Sequence, residues 1–313
     1  MKAPARVVFL GTGDIAIPSY RRLRESGVEL VGLVTQPDRP AGRHRRPKPP
    51  AIKALAEEDD LTVWQPERIR KPEALEGIRA MAPDLMVVMA YGQILPEELI
   101  RMAPLGCVNL HASLLPKYRG AACIQAAIDA GDERSGVTLM HVVKELDAGD
   151  VILSVEEKIR ADDTGGSLHD RLALVAAEAL GQGLPALLAG TAPRTPQAEL
   201  GESSYAPKLE RDDGRIDWSW SAGALERRLR AYDPWPGCHA SYDDGQGGKR
   251  LKVFPARELL PQGGELGMEG ECVRGPCGEG SLVLGDVQPE GARRMPAAAW
   301  WRGLRNPEKL RLD

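Results

Sequence analysis

The first half of the chain alternates short apolar runs with amphipathic helical segments. Leu85–Met89 contains apolar residues only, which is typical of a parallel strand covered by helices on both faces. The alternation indicates βαβ units, and therefore a Rossmann-like α/β fold with an open, mostly parallel sheet. Helices are predicted at Ile15–Ser26, Ala51–Glu58, Glu73–Met81 and Ser167–Leu188. Strands are predicted at Val7–Leu10, Val28–Val34, a segment ending near Trp64, Leu85–Met89, Cys107–Leu110, Val137–Val143 and Val151–Ile159.

The residue composition and the apolar periodicity change after residue 190. Residues 191–207 are rich in Pro, Thr, Ser and Gly and lack apolar periodicity, as is typical of a linker. Beyond them, short apolar runs separated by Gly and Pro predict a small β-barrel or sandwich. We therefore predict a Rossmann-like domain at 1–190, a linker at 191–207 and a C-terminal, OB-like β-barrel domain at 208–313. The apolar runs of that last region are Cys238–Tyr242, Leu251–Phe254, Glu271–Arg274 and Leu282–Val287.

Composition restricts where the chain works and what it binds. No stretch reaches the roughly 20 apolar residues of a membrane-spanning helix, and Val7–Leu10 is too short for the core of a secretion signal. The five cysteines are scattered, and no second pair or nearby histidine completes a zinc site around Cys272 and Cys277. These features predict a cytoplasmic protein without a membrane partner, a disulfide framework or a bound metal.

Charge is unevenly distributed along the chain. The formal net charge is −4, which by itself does not indicate a nucleic-acid-binding protein. One short stretch is strongly basic, however, and only Asp38 opposes its charge. A basic loop on an acidic protein can contact phosphate groups, although most such loops are simply solvated. The basic residues of this stretch are Arg39, Arg43, Arg45, Arg46, Lys48 and Lys53.

The turn after the first predicted strand has the pattern G-x-G-x-x-A, from Gly11 to Ala16. This pattern is a variant of the dinucleotide-binding turn, so a nicotinamide-dependent oxidoreductase is one alternative function. Such enzymes carry an acidic residue about 20 residues further on, at the end of the second strand. Thr35-Gln36-Pro37 stands there instead. We therefore interpret the glycines as residues that permit a tight turn.

Two polar side chains alternate at the end of the fifth predicted strand. Asn109 and His111 share one face of that strand, beyond the carboxyl end where open α/β sheets bind ligands. Downstream, Leu146-Asp147-Ala148-Gly149-Asp150 joins two apolar strands, and an aspartate there is free to orient a histidine. Taken alone, these residues also fit a hydrogen-bonded structural histidine and an ordinary turn.

The run from Asn109 to Gly120, the residues 120–125 that follow it and Leu146–Asp150 resemble the 10-formyltetrahydrofolate formyltransferase family. The resemblance continues into the basic stretch at Gln36–Arg43. It covers nearly the whole chain, because it extends after residue 200 to Tyr205–Leu209, Gly214–Trp218, Pro234–Gly237, Val287–Gly291 and Arg294-Met295.

The resemblance implies transfer of the formyl group of 10-formyltetrahydrofolate to the α-amino group of methionine carried by initiator tRNA, without a metal. It implies catalysis through a tetrahedral intermediate by Asn109, His111 and Asp147. A monomer is expected. Folate contacts are expected from Ser113, Leu114, Leu115, Pro116, Gln93, Ile94 and Leu95. Contacts to tRNA phosphates are expected from Arg43, Arg45, Arg46 and Lys48.

Two positions depart from the family pattern. Cys123 stands where the family usually has proline, so the entry into the following helix is expected to differ slightly. Residues 44–50 are a proline-rich basic run in place of the usual Gly-Lys-Lys.

Three alternative functions remain open at this point. The first is formyl transfer to an amino-sugar nucleotide or a purine precursor, which the basic stretch and the C-terminal region disfavour. The second is the nicotinamide-dependent oxidoreductase, disfavoured by the missing acidic residue. The third is a non-catalytic tRNA-binding protein, disfavoured by the intact Asn109, His111 and Asp147.

Overall fold

Two compact units make up the computed structural model of the chain, which describes residues 3–41, 46–243, 245 and 247–313. The first unit runs up to Cys123 and also includes Arg134–Lys158 and His169–Ala206. The second unit consists of Ile124–Glu133, Ile159–Leu168 and Pro207–Asp313. Residues 191–206, which the sequence analysis assigns to a linker, therefore belong to the first unit.

The strands of the first unit are β1 (Arg6–Gly11), β2 (Glu29–Val34), β3 (Arg39–Ala41), β4 (Arg46–Lys48), β5 (Val63–Trp64), β6 (Leu85–Met89), β7 (Cys107–His111), β8 (Arg134–His141) and β9 (Val151–Lys158). Seven of them form one sheet in the order β5-β2-β1-β6-β7-β8-β9, while β3 and β4 form a separate hairpin. The five strands β5, β2, β1, β6 and β7 pair in parallel, whereas β8 pairs antiparallel with both β7 and β9. This confirms the predicted α/β sheet, which is mostly parallel.

Where apolar residues recur with a clear helical period, the observed helices begin and end close to the predicted positions. They are α1 (Ile17–Arg24), α2 (Ala51–Glu58), α3 (Pro72–Ala80), α4 (Glu97–Ile100), α5 (Cys123–Ala130), α6 (Gly165–Ala189), α7 (Ala222–Ala231) and α8 (Ala297–Arg302). Helix α1 begins later than predicted because Asp14–Ala16 forms a 3-10 turn and Pro18 occupies the first turn of the helix. Further 3-10 turns lie at Gln197–Glu199, Arg211–Gly214 and Pro307–Lys309.

The turn after β1 shows why glycine is needed there. A Cβ on Gly11 would lie 2.7 Å from the Phe9 ring and 3.1 Å from the carbonyl oxygen of Met89. The backbone N–H of Gly13 donates to the carbonyl of Ala90 at 3.4 Å, so the turn lies close to the end of β6. This close approach accounts for Gly11 without a dinucleotide.

The second unit contains β10 (Cys238–Asp243), β11 (Lys249–Val253), β12 (Glu258–Leu260), β13 (Gly267–Glu269), β14 (Cys272–Pro276), β15 (Ser281–Leu284), β16 (Asp286–Pro289), β17 (Met295–Pro296) and β18 (Arg311–Leu312). They form a five-stranded sheet, β17-β16-β11-β10-β18, and a four-stranded sheet, β12-β15-β14-β13. The predicted run Leu282–Val287 divides at Gly285 between the two sheets. Glycine fits here because the Arg257 side chain lies against the backbone: an added Cβ would come within 2.6 Å of Arg257 Nε. The OB-like barrel stays a prediction.

Helix α6 is long and apolar enough to cross a membrane by length and composition alone, although charged residues interrupt its apolar sequence. Half of its apolar window is buried inside the structure, and core helices of globular domains pass the same test. Gly183 of α6 lies against β8, where an added Cβ would come within 2.3 Å of Leu139 Cδ2. The helix therefore covers the sheet of the first unit, and the absence of a membrane partner stays a prediction.

Candidate active site

Strand β7 carries Asn109 and His111 on one face. The two residues lie opposite Met140 and Thr138 of the antiparallel neighbour β8. Asn109 is partly exposed, and its side-chain amide makes no hydrogen bond to any residue within the described part of the chain. His111 is only 7% exposed. The strand therefore presents an amide with unused donors beside a buried imidazole.

The loop that follows β7 returns to hydrogen-bond the imidazole. The carbonyl oxygen of Tyr118 lies 2.8 Å from His111 Nε2. Because a carbonyl oxygen only accepts, Nε2 carries the proton of this bond. Tyr118 reaches the ring from a left-handed backbone conformation, with φ of 59°. The other ring nitrogen, Nδ1, is left for the groups on the opposite side of the ring.

Asp147 lies on that opposite side, in the turn between β8 and β9. Its Oδ2 is 3.7 Å from His111 Nδ1 and accepts a 2.8 Å hydrogen bond from the backbone N–H of Gly120. The Asp147 side chain is 12% exposed, and its backbone φ is 49°. At 3.7 Å the two side chains form an ion pair rather than a direct hydrogen bond. The structure thus brings the predicted histidine and aspartate together.

The surroundings of His111 set its charge. Burial alone lowers the pKa of an imidazole, because the charged form loses its hydration. The interactions of the ring with Cys123, the Asp147 carboxylate and the Tyr118 carbonyl together outweigh burial and raise the pKa of His111 to about 9. The imidazole is therefore positively charged at neutral pH, and a charged donor stabilises a developing negative charge more strongly than a neutral one.

Cys123, the buried residue that begins α5, gives a testable pH dependence. We expect Cys123→Ala to lower the pKa of His111, because it removes a hydrogen-bonding partner of the ring. An NMR titration of the imidazole measures this pKa, and Cys238→Ala, another buried thiol, serves as the control. An unchanged titration in Cys123→Ala would contradict the assignment.

The same shift has a consequence for stability. The folded-state pKa of His111 lies above the ordinary value of 6.5, so its charge stabilises the fold fully below about pH 6.5. That contribution is lost as the pH rises through about 9. In Cys123→Ala, whose folded-state pKa for His111 is expected to be lower, this contribution should be smaller and its loss complete at a lower pH.

The predicted folate residues that follow β7 form a tightly fixed loop. Ser113 and Leu115 are buried, and the Ser113 hydroxyl donates to the carbonyl of Lys117 at 2.7 Å. The Thr138 hydroxyl donates to the Ser113 carbonyl at 2.7 Å and accepts from the Leu115 N–H at 3.1 Å. Leu114 packs on Gly136 of β8. Pro116 is also buried, so this loop offers a ligand mainly backbone groups.

The predicted folate residues after β6 differ from one another. Gln93 Oε1 accepts from the Ile69 N–H at 2.7 Å, so its amide holds a neighbouring loop. Leu95 belongs to the buried core. Ile94 is 67% exposed and is the one of the three whose side chain is open to a ligand.

The basic stretch of the sequence folds in part into the hairpin β3–β4. Lys48 on β4 is exposed. Arg39 donates to Gln36 Oε1 at 3.2 Å, and Lys53 pairs with Asp38 at 3.0 Å. The predicted tRNA residues Arg43 and Arg45, and the side chain of Arg46, lie outside the described residues.

Two residues next to the His111–Asp147 pair received no catalytic or binding role from the sequence. Gln197 is buried and donates to the backbone carbonyl of Asp147, while Arg119 lies between the two loop residues that contact the pair. Gln197 carries no recognisable signal, because it lies in the stretch that composition assigns to a linker. Within the described residues, no group of three or more His, Cys, Asp and Glu side chains is placed to hold a metal ion.

Comparison with known proteins gives matches along the chain. The family profile described as Formyl transferase matches residues 5–184, and that described as Formyl transferase, C-terminal domain matches residues 208–305. Methionyl-tRNA formyltransferase of Akkermansia muciniphila is 47% identical, over 98% of this chain and 99% of the relative. The proteins of the same name from Geobacter sulfurreducens and Pseudomonas fluorescens are 40% and 45% identical, over 99% and 94% of this chain and 97% and 92% of the relatives.

Solved structures with a similar fold include two described with folate compounds. An N-formyltransferase from Helicobacter canadensis in complex with folinic acid and dTDP-3-aminofucose has a TM-score of 0.64 at 15% identity, covering 93% of this chain and all of its own. HypX from Aquifex aeolicus in complex with tetrahydrofolic acid has a TM-score of 0.63 at 20% identity, covering 96% of this chain and 47% of its own. At these identities the likeness supports the fold alone.

Proposed function

The chain belongs to the formyl transferase family, and we propose that it transfers the formyl group of 10-formyltetrahydrofolate to the free α-amino group of initiator methionyl-tRNA. The product is N-formylmethionyl-tRNA for the initiation of translation. The observation that carries this proposal is that relatives named for this activity match the chain almost from end to end, across both units. The charged His111 beside Asp147 and the unpartnered Asn109 amide support it.

The acceptor amine in this reaction needs alignment more than activation. An α-amino group has a pKa of about 7.7–8.0, so a useful fraction is neutral near pH 7. The amine attacks the formyl carbon, a carbon–nitrogen bond forms, and the carbonyl oxygen becomes negative. Collapse of the tetrahedral intermediate breaks the bond to the folate nitrogen, which takes up a proton as the attacking nitrogen loses one.

Three side chains serve these steps. Asn109 donates its amide N–H to the negative oxygen, because that amide has no competing hydrogen bond within the described part of the chain. His111, held charged by its surroundings, donates to the same oxygen and relays the proton between the two nitrogens. Asp147 orients the ring. In the free protein, His111 Nε2 carries the proton and donates it in a hydrogen bond to the Tyr118 carbonyl. For the relay, Nε2 gives up this bond and donates to the substrate instead.

The proposal assigns a task to each region of the chain. Residues 1–190 form the catalytic domain, 191–207 connect it to the rest, and 208–313 form an OB-like barrel that assists tRNA binding. Folate contacts come from the backbone of Ser113–Pro116 and from Gln93–Leu95, with Ile94 the most open of these side chains. Charged tRNA is a cytoplasmic substrate, so the activity belongs to the cytoplasm, and we propose a monomer.

The basic loop is expected to bind tRNA phosphates through Arg43, Arg45, Arg46 and Lys48. Arg43→Ala should raise KM for the tRNA and lower the slope of log KM against log salt concentration by about 1, because one phosphate contact is lost. KM for the folate should stay unchanged. Steady-state assays over a range of salt concentrations measure this. Arg101→Ala, which removes an exposed arginine outside the basic stretch, is the matched control. Identical salt slopes for wild type and Arg43→Ala would remove the loop from the proposal.

The decisive experiment compares acceptors with one donor. Purified protein receives 10-formyltetrahydrofolate and either methionyl initiator tRNA or a dTDP-linked amino sugar, and formylated product is quantified. We expect rapid formylation of the tRNA only. Preferential formylation of the amino sugar would show that the acceptor is an amino-sugar nucleotide rather than methionyl-tRNA. A nicotinamide-dependent oxidation without formyl transfer would overturn the proposal.

A further inference from the structure

The buried amide of Gln197 lies between the two matched family profiles, in the segment of residues 185–207. The residue is 4% exposed and begins the 3-10 turn Gln197–Glu199. A buried polar side chain is costly unless its donors and acceptors are used, so its partners indicate what it is for.

All four hydrogen-bonding positions of this amide are used. Nε2 donates to the backbone carbonyls of Asp147 and Gly149, at 2.8 and 2.9 Å. Oε1 accepts from Arg119 Nε at 3.0 Å and Nη2 at 2.7 Å. Rotating the amide by 180° would set oxygen against carbonyls and N–H against a guanidinium, so the partners fix one orientation.

The two groups that Gln197 joins are the supports of the catalytic pair. Arg119 follows Tyr118, whose carbonyl accepts from His111 Nε2. It precedes Gly120, whose N–H donates to Asp147 Oδ2. One buried amide thus links the loop that holds the imidazole to the turn that holds the carboxylate. Asp147 keeps a left-handed φ of 49°, a conformation that needs such fixing contacts.

The chain on both sides of Gln197 is anchored to the same supports. Thr195 exchanges two backbone hydrogen bonds with Val151 of β9, at 2.8 and 3.0 Å. Ser204 accepts from the Arg119 N–H through its carbonyl, at 2.8 Å, and from the Tyr118 N–H through its hydroxyl, at 2.9 Å. The turn that carries Gln197 is therefore held at both ends within the first unit.

We propose that Gln197 is a positioning residue for formyl transfer, which sets the distance and angle between His111 and Asp147 by joining their two supporting loops. The kinetic part of this proposal rests on the proposed function, but the geometric part does not. The segment between the two matched profiles therefore completes the active site as well as connecting the two regions.

Two substitutions distinguish the acceptor side of the Gln197 amide, toward Arg119, from its donor side, toward the carbonyls of Asp147 and Gly149. Gln197→Met keeps the length and volume of the side chain and removes all four hydrogen bonds. Gln197→Glu keeps an acceptor for Arg119 but turns a carboxylate oxygen toward the carbonyls of Asp147 and Gly149. Glu199→Ala, an exposed change in the same turn, and Gln182→Ala, an exposed glutamine of α6, are the matched controls.

We expect both Gln197 variants to lower kcat about 10- to 100-fold, since small misplacements of catalytic groups have effects of this size. KM for folate and tRNA should change less than about twofold, because no substrate contact is lost. An NMR titration should place the pKa of His111 lower than in the wild type, as Asp147 moves away while Cys123 remains. Both controls should match the wild type in kcat and in the titration.

Each other outcome overturns the proposal. Unchanged kcat and an unchanged His111 titration would show that the two loops hold their geometry without the amide. Reduced kcat with an unaltered titration, or failure of both variants to fold, would make Gln197 a residue of the fold alone. A wild-type protein without formyl transfer would refute the proposed function, while the titration would still decide whether Gln197 positions the pair.

Discussion

His111→Ala is expected to lower kcat for formyl transfer by about 100- to 10,000-fold, the range typical of a lost general acid–base group. The substitution removes the charged imidazole and leaves the Tyr118 carbonyl and the Asp147 carboxylate without that partner. Single-turnover assays with saturating folate and methionyl-tRNA isolate the chemical step. KM values should change little, because the imidazole acts on the reacting atoms in the transition state.

A second histidine of the first unit provides the control for this prediction. His169 lies on α6, with its ring hydrogen-bonded to the Asp170 side chain at 3.0 Å. His169→Ala should retain wild-type kcat. Circular dichroism and thermal melting establish that both variants are folded. Near-normal single-turnover transfer by folded His111→Ala would remove His111 from the mechanism.

The fold was predictable where one physical signal dominates. Leu85–Met89 is apolar throughout, and the strand begins and ends at the predicted residues because burial on both faces excludes polar side chains. The run Leu282–Val287 was predicted as one strand, but Gly285 divides it between two sheets. A change of sheet at one glycine depends on partners far along the chain, which local periodicity does not record.

The candidate site was predictable in its residues but not in its supports. Alternation along β7 and the resemblance to a family pointed to Asn109, His111 and Asp147. The Tyr118 carbonyl reaches the imidazole only because the backbone takes a positive φ, which a tyrosine does not signal. Gln197 lies in a stretch with the composition of a linker, so its burial follows from tertiary contacts alone.

Asn109→Ala is expected to lower kcat by about 100- to 1000-fold, the effect measured when one donor to an oxyanion is lost. The Asn109 amide is partly exposed and unpartnered within the described residues, so its removal leaves no buried group unsatisfied. Stability should therefore be nearly unchanged, and the loss should fall on kcat rather than on KM. Thermal melting and steady-state assays measure the two effects separately.

Asn109→Asp distinguishes donation to the negative oxygen from simple space filling. Aspartate has nearly the same shape, but its carboxylate cannot donate and adds a negative charge where another develops. A donor role therefore requires that Asn109→Asp be slower than Asn109→Ala, whereas a packing role predicts the reverse order. Asn306→Ala, at the only other asparagine of the chain, should behave as the wild type. If Asn109 donates a hydrogen bond, alanine is the better substitute because it adds no negative charge; if it only fills space, aspartate is the better substitute. The order of the two rates therefore decides whether the carbonyl under attack is stabilised from β7.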